Sequence, residues 1–332
     1  MKKYLSLLSA LLMVFLIGCG SSKPVSVDIF AMDTYMSLVA YGKDAQEALD
    51  ECCRTINHLE NLLSRTRESS DVWRINADGT AAVDLVTSQL VQDSQYFSQQ
   101  TNGAFDITVA PLVDLWAINT DRPYVPAAEE IEALLPLVGS ERIAVDGDTV
   151  SLASGASIDL GGIGKGYASD MVKEIFENSG IKSGTASLGG NVYVHGSKPD
   201  GSPWNVAIQD PKGDGYAVQV SLSDAFVVTS GGYQRYYEAP DGTVYQHILD
   251  PKTGYPAESD LLSVSIIGTC GEIADAYSTA LYVMGEADAT DFWHTHHDFD
   301  MILITTDGRV LYTPGLTITE EPNSGYVYEK IA

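Results

Sequence analysis

Between residues 185 and 269 the chain offers strand after strand with no helical pattern between them. "TASLGGNVYVHG", "WNVAIQDP", "YAVQVSL", "AFVVTSGG", "QRYYEAPDGTVYQHILDP" and "LLSVSIIGT" are short runs rich in β-branched and aromatic residues, separated by Gly, Pro and Asp turns. Helical periodicity lies mostly earlier. "AQEALDECCRTINHLENLLSR" spaces Ala45, Leu49, Cys52, Ile56, Leu59 and Leu63 along one helix face. A second helix is expected over 83–103 with Gly103 as its stop, a short third over 127–139, and a fourth over 167–180 ending at Gly180. A hairpin is expected over 143–160, around Asp146-Gly147. "GEIADAYSTALYVMG" (271–285) is a later helix, and "MILITTDGRVLYTPG" a final hairpin. "VSVDIFAMDTYMSLVAYG" (25–42) alternates like one strand that opens the fold. Strands in blocks, rather than alternating regularly with helices, predict an α+β fold: a largely antiparallel sheet core with packed helices.

The N-terminus reads as an export signal. "MKK" is followed by "YLSLLSALLMVFLIG", an apolar run too short to span a bilayer comfortably. "LIGCGSS" then resembles a bacterial lipobox, which would make Cys19 the lipidated first residue of the mature chain; a plain signal peptide or an anchor helix are the alternatives. The expected organisation is a lipoprotein signal peptide at 1–18, a lipidated tether at 19–27 and one large domain at 28–332. The mature protein would sit on the membrane surface, on the extracytoplasmic face of a bacterial cytoplasmic membrane.

Net charge is -26, which argues against nucleic acid as a partner. A phosphate site in such a chain must be made locally, by backbone N–H groups, a few lysines or a bound cation. Beyond Cys19 only Cys52, Cys53 and Cys270 remain, too few and too odd for a disulfide framework. Buried thiols fit best, with a bond from the first helix to Cys270 as the alternative.

Three segments carry candidate chemistry. "SIDLGGIGKGYASD" (157–170) runs from an apolar strand through glycines into a helix. It matches neither a Walker A nor a G-x-G-x-x-G spacing, since Gly162, Gly164 and Gly166 lie two apart. Glycines still let a backbone approach a phosphate, a helix N-terminus offers free N–H groups, and Lys165 adds a charge. The competing reading is a turn that only packs a helix on a sheet. In the 271–285 helix, Asp275 and Thr279 are four apart, so both could ligate one hard cation such as Mg²⁺, with Ser278 near the same face. Alternatively both face solvent, or Thr279 bonds back to its own turn. In "YQHILDPKTGYP" (245–256), His247 stands before an Asp-Pro turn and could act as a base; a structural histidine is the alternative. "HTHH" (294–297) could suggest zinc but lacks a second half-site.

Together, and in order, these segments resemble one family: ApbE, the FAD:protein FMN transferases. "MDTYMSL", "SRTRESSDVWRIN", "GAFDITVAPLVDLW", "IDLGGIGKGYASD", "ASLGGNVYVHG", "WNVAIQDP", "VVTSGGYQRYY", "HILDPKTGYP" and "ADAYSTALYVMG" follow in family order and span 28–312. The resemblance implies an enzyme that moves FMN from FAD onto a Thr or Ser hydroxyl of an acceptor protein, with Mg²⁺ and release of AMP. Its Gly-rich loop would hold the pyrophosphate region of FAD. Met32, Ala104, Phe105, Asp106, Asp159, Lys165 and Leu249 fall at positions resembling FAD contacts. Asp275 and Thr279 match the metal-binding helix, and Gly162 the position whose carbonyl completes the protein ligands; Ser278 stands where some members carry Asp. His247 matches the family's histidine before Asp-Pro-x-Thr-Gly, here taken as the base for the acceptor hydroxyl. Acceptors would be FMN-bearing subunits of Rnf or Na⁺-pumping quinone reductase complexes. Rival readings are an FAD pyrophosphatase using the same site with water, a lipid-anchored flavin-binding protein, and a solute receptor, whose two regularly alternating α/β lobes are absent from the pattern.

Overall fold

A computed structural model describes residues 23–332. The signal peptide and Cys19 lie outside the described residues. At the centre is a nine-stranded sheet in which spatial order follows chain order: Pro24–Ala31, Thr34–Tyr41, Ser183–Leu188, Asn191–Gly196, Ala225–Gly231, Leu261–Gly268, Asp300–Thr305, Arg309–Tyr312 and Val327–Lys330. Neighbours are antiparallel except the last pair, which is parallel. The α+β architecture with a mainly antiparallel core is as expected.

Seven α-helices surround this sheet: α1 (Ala45–Leu63), α2 (Asp71–Asp78), α3 (Leu85–Gln100), α4 (Ala110–Trp116), α5 (Ala128–Leu134), α6 (Gly164–Asn178) and α7 (Gly271–Thr295). Helices α1, α6 and α7 cover one face. Their apolar stripes (Leu49, Cys52 and Ile56; Ala168, Val172 and Phe176; Ala280 and Leu281) join the sheet's Met36, Leu38, Leu188 and Val264 in the main core. The other face is covered by a three-stranded sheet of Trp204–Gln209, Tyr216–Leu222 and Ile318–Glu320, which forms a second core. Leu112, Trp116, Ile131 and Leu249 form a third, small cluster under α4 and α5.

The structure departs from the sequence reading at several points. Residues 25–42 are two strands, because Met32 (φ 49°) and Asp33 (φ 59°) adopt left-handed conformations and turn the chain into a hairpin. The first of these strands begins at Pro24, so residues 24–27, read as tether, belong to the sheet. "DVWRINAD", not expected as a helix, is α2: the Ser70 hydroxyl accepts from Trp73 N at 3.0 Å and Gly79 closes the helix at φ 72°. Helix α7 does not stop at Gly285. It kinks there (φ 80°) and restarts, the Glu286 N–H donating to Asp260 Oδ1 at 2.8 Å, and runs to Thr295. His294 thus ends a helix, and His296 stacks on Phe292 (3.9 Å between centroids, 10° between planes) with Nδ1 2.9 Å from the Phe292 carbonyl. Cys52, Cys53 and Cys270 are all free thiols; burial pushes Cys52 up to about 12 and Cys270 up to about 11, so both stay protonated.

Candidate active site

Helices α6 and α7 meet at their N-terminal ends, and the site forms there. Gly166 allows the approach: a Cβ on it would lie 2.6 Å from the Asp275 Cβ. The same glycine's N–H donates to Asp275 Oδ2 at 2.8 Å. Asp170, one turn further along α6, accepts from the N–H groups of Gly271 and Glu272, both at 2.8 Å, and so caps α7 from its neighbour. Asp275 is 4% exposed, and among the described residues no Lys, Arg or His forms a salt bridge with it. A buried carboxylate with one N–H partner and no counter-charge is costly, and an oxygen-seeking cation fits that need.

The Gly-rich loop reaches the same place. Its entry is fixed by Asn76, whose amide exchanges two bonds with the Ile158 backbone (2.8 and 2.9 Å). Asp159 Oδ1 then accepts from Gly161 N at 2.8 Å, while Oδ2 pairs with Arg65 at 3.2 Å. Arg65 also pairs with Asp114 on α4 at 2.6 Å. Lys165 folds back to donate to the Gly161 carbonyl at 3.0 Å. Gly162 faces Thr279: a Cβ on it would lie 3.9 Å from Thr279 Oγ1 and 3.1 Å from the Phe105 ring. Gly162, Asp275 and Thr279 therefore come together, as the spacing allowed. Ser278 is fully buried and donates to the Asp275 carbonyl at 2.9 Å; its Oγ also lies 2.8 Å from Ser230 Oγ. Thr279 Oγ1 is 3.2 Å from the same Ser230 oxygen.

Other candidates have different placements. Met32, at the hairpin tip, brings its terminal methyl to 3.3 Å from where a Gly164 Cβ would sit. Ala104 and Phe105 are buried, Phe105 edge-on to Phe97. Asp106 is turned inward: Oδ1 accepts from Thr108 N and Oγ1 (2.9 and 2.6 Å), and Oδ2 accepts from Ser98 at 3.0 Å. Its carboxylate caps the turn at Ile107–Val109 and shapes the segment beside Gly162. Leu249 packs into the third cluster.

His247 follows the short strand Val244–Gln246 and is half-buried. Its Nδ1 lies 3.1 Å from the Arg235 carbonyl; a carbonyl only accepts, so the proton sits on Nδ1 and Nε2 keeps a free lone pair. Burial first, and then the Arg235 guanidinium, push the imidazole down to about 4, with the Lys165 ammonium adding to the effect. Arg235 is itself tied to Asp33 beside the hairpin tip (3.2 Å). Together with Ile118, Asn119, Gln234 and Tyr236 they line an open cleft of 330 Å³ next to the histidine. Gln246 packs against Gly232, two residues past Ser230, which links the histidine strand to the α7 site. At the α7 N-terminus, burial and then Asp93 and Asp170 push Glu272 up to about 8.

The chain as a whole is similar to known proteins. Residues 32–303 match the ApbE family. The chain belongs to that family. It is 32% identical over 294 residues to an FAD:protein FMN transferase of Treponema pallidum (82% of this chain, 81% of that one) and 34% identical over 256 residues to one of Vibrio cholerae (75% of each). The fold is similar to the ApbE protein of Thermotoga maritima, with a TM-score of 0.80, 31% identity and coverage of 90% of this chain and 97% of that one. It is likewise similar to the flavinyl transferase ApbE of Pseudomonas stutzeri, with a TM-score of 0.78, 30% identity and coverage of 91% and 96%.

The sequence marked the Gly-rich loop, Asp275 with Thr279, and His247 as candidates. It did not mark Arg65, Asp170 and Ser230 as site-shaping residues. Arg65 and Ser230 lie inside the quoted motifs "SRTRESSDVWRIN" and "VVTSGGYQRYY", and only the long-range partners single them out.

Proposed function

We propose that this ApbE-family chain transfers FMN from FAD to a Thr or Ser hydroxyl of an acceptor protein, forming a phosphodiester bond and releasing AMP. Family membership and relatives named FAD:protein FMN transferase support the reaction class. The observation that carries the chemistry is the buried Asp275, with no cationic side-chain partner among the described residues, set against a Gly-rich loop. Asp275, Thr279 and the Gly162 carbonyl would hold Mg²⁺, a hard cation suited to oxygen donors. A cation held by these residues would supply charge neutralisation for the phosphates during transfer.

The chain's own residues do the rest. The positive end of the α6 dipole favours an anionic group, and Lys165 contributes positive charge to the loop. Phe105 and Met32 supply apolar surface on either side of the glycines. His247 is neutral at physiological pH, with Nε2 free to take the proton of the acceptor hydroxyl. That oxygen attacks the FMN phosphorus, the pyrophosphate P–O bond breaks, and AMP leaves with the electron pair. A lipid anchor on Cys19 would hold the enzyme at the extracytoplasmic membrane face, near acceptors such as FMN-bearing subunits of Rnf or Na⁺-pumping quinone reductase complexes. A fatty acid on Cys19, sought by mass spectrometry of the membrane-extracted protein, checks the anchor.

The test incubates the domain with FAD, Mg²⁺ and an Rnf-type acceptor domain, then reads flavin fluorescence in a denaturing gel beside AMP. Transfer gives one AMP per covalent flavin and no signal when EDTA is present. Equal AMP with and without acceptor, and no protein-bound flavin, would mean FAD hydrolysis instead. Flavin that denaturation removes, with no AMP, would mean binding alone.

A further inference from the structure

We infer that Ser230 is a positioning residue that sets the direction of a hydroxyl chain and so presents a Thr279 lone pair to the cation. The inference rests on the proposed metal site. Ser230 lies near the end of the strand Ala225–Gly231, against α7. Three hydroxyls stand in a row: Thr279 Oγ1, 3.2 Å from Ser230 Oγ, which is 2.8 Å from Ser278 Oγ. The row ends at the Asp275 carbonyl, which accepts from Ser278 at 2.9 Å.

A hydroxyl has one proton and two lone pairs, and a carbonyl oxygen can only accept. Ser278 gives its proton to the carbonyl, so it must accept from Ser230. Ser230 has then given its proton away and must accept from Thr279. The order is therefore Thr279 to Ser230 to Ser278 to the Asp275 carbonyl, each oxygen donating onward. Thr279 is left with its proton directed to Ser230 and its lone pairs free, the state a neutral hydroxyl ligand needs. The same order explains the two α7 hydroxyls: Ser278 is occupied on both sides by protein and is no ligand, whereas Thr279 is the end of the chain. Removing the Ser230 oxygen would free the Thr279 proton to turn elsewhere, including toward the carbonyl one turn back on α7.

The test is a Mn²⁺ titration of the FAD-free protein, with free Mn²⁺ read by electron paramagnetic resonance, on the wild type and on Ser230→Ala, Ser230→Thr, Thr279→Ala and Asp275→Ala. Thermal melting in EDTA accompanies each variant. Ser230→Ala should weaken Mn²⁺ binding by about tenfold, the scale of one net hydrogen bond. Its melting temperature in EDTA should stay near wild type, and Ser230→Thr, which keeps the hydroxyl, should restore affinity. Unchanged affinity in Ser230→Ala beside a clear loss in Thr279→Ala would overturn the role of Ser230 and leave the metal site standing. Unchanged affinity in Thr279→Ala and Asp275→Ala as well would overturn both. A loss in Ser230→Ala that follows a lowered melting temperature and is not restored by Ser230→Thr would reduce Ser230 to a packing residue.

Discussion

Each face of the nine-stranded sheet carries a buried core, and the two cores are built from different materials. Under the three-stranded sheet, the core is aliphatic and mostly β-branched: Val194, Val206, Ile208, Val218, Val220, Val227, Ile267, Ile302 and Ile304. Under the helices, the apolar core is larger, and Asp275, Ser278 and Ser169 are buried beside it. Burying a polar group costs free energy unless each donor and acceptor is partnered. The first core is formed by apolar side chains and acts as support. The second carries that cost at the α6–α7 crossing, where the partners are a glycine N–H and a serine–threonine row. Chemistry is thus confined to one face, and the contrast can be broken experimentally.

The largest effect is expected at Asp275. Asp275→Ala should lower transfer by about a hundredfold or more, because a cation contributes several kcal/mol to the transition state. Mg²⁺ affinity should fall with it, as calorimetry can measure. Transfer that survives both this change and EDTA sinks the assignment.

His247→Ala should slow transfer by roughly a hundredfold with little change in FAD binding, the usual scale for losing a general base. The wild-type pH profile sharpens this. The imidazole sits near 4 rather than its ordinary 6.5, so the neutral base persists as pH falls to about 4. Folding favours the neutral form; this contribution to stability is complete above 6.5 and is lost between 6.5 and 4. An acid limb of kcat/KM well below 6.5 is expected; a limb at 6.5 would mean that burial and Arg235 do not depress the imidazole, and a limb unchanged in a slowed His247→Ala would remove His247 as the base.

On the supporting face, Ile302→Ala should cost about 2–5 kcal/mol of stability, the range for deleting a buried aliphatic side chain. Ile302 is wholly buried. Denaturant unfolding measures the loss, and kcat below the unfolding transition should match wild type. A large drop in kcat would show that the two faces are not separable.

The smallest effect concerns Glu272, on the functional face. Its carboxyl is held up at about 8, so folding favours the protonated form, and stability falls as pH rises from 4.5 through 8. Glu272→Gln, permanently neutral, should melt about 2–4 °C above wild type at pH 9 in EDTA and together with it at pH 4.5. Equal shifts at both pH values would mean the carboxylate carries no strain.

Much was legible in the chain because the signals are local. Alternation and turn residues revealed most of the strands, and 3.6-residue spacing revealed α1, α3 and α6. The i,i+4 pair Asp275 and Thr279 shares a helix face by geometry alone. The hairpin at Met32 and Asp33 was hidden because neither residue is a glycine, and the left-handed turn they adopt is held by strand pairing on both sides. The continuation of α7 past Gly285 depends on Asp260, 26 residues away in sequence. Asp106 read as a ligand contact because its motif position was visible, while Ser98 and Thr108, which engage it, were not.

Sequence by itself determined the kinds of group available: a buried helix with Asp and Thr one turn apart, a Gly-rich turn before a helix, and a histidine at a strand end. Tertiary structure alone decided which of them meet. Gly162 and Thr279 are 117 positions apart, and Asp159 and Arg65 are 94 apart. The pattern within a segment follows from the periodicity of its own backbone. Contact between segments follows from how closely two helices cross, and here that distance is set at Gly166, where no side chain stands between α6 and the carboxylate of Asp275.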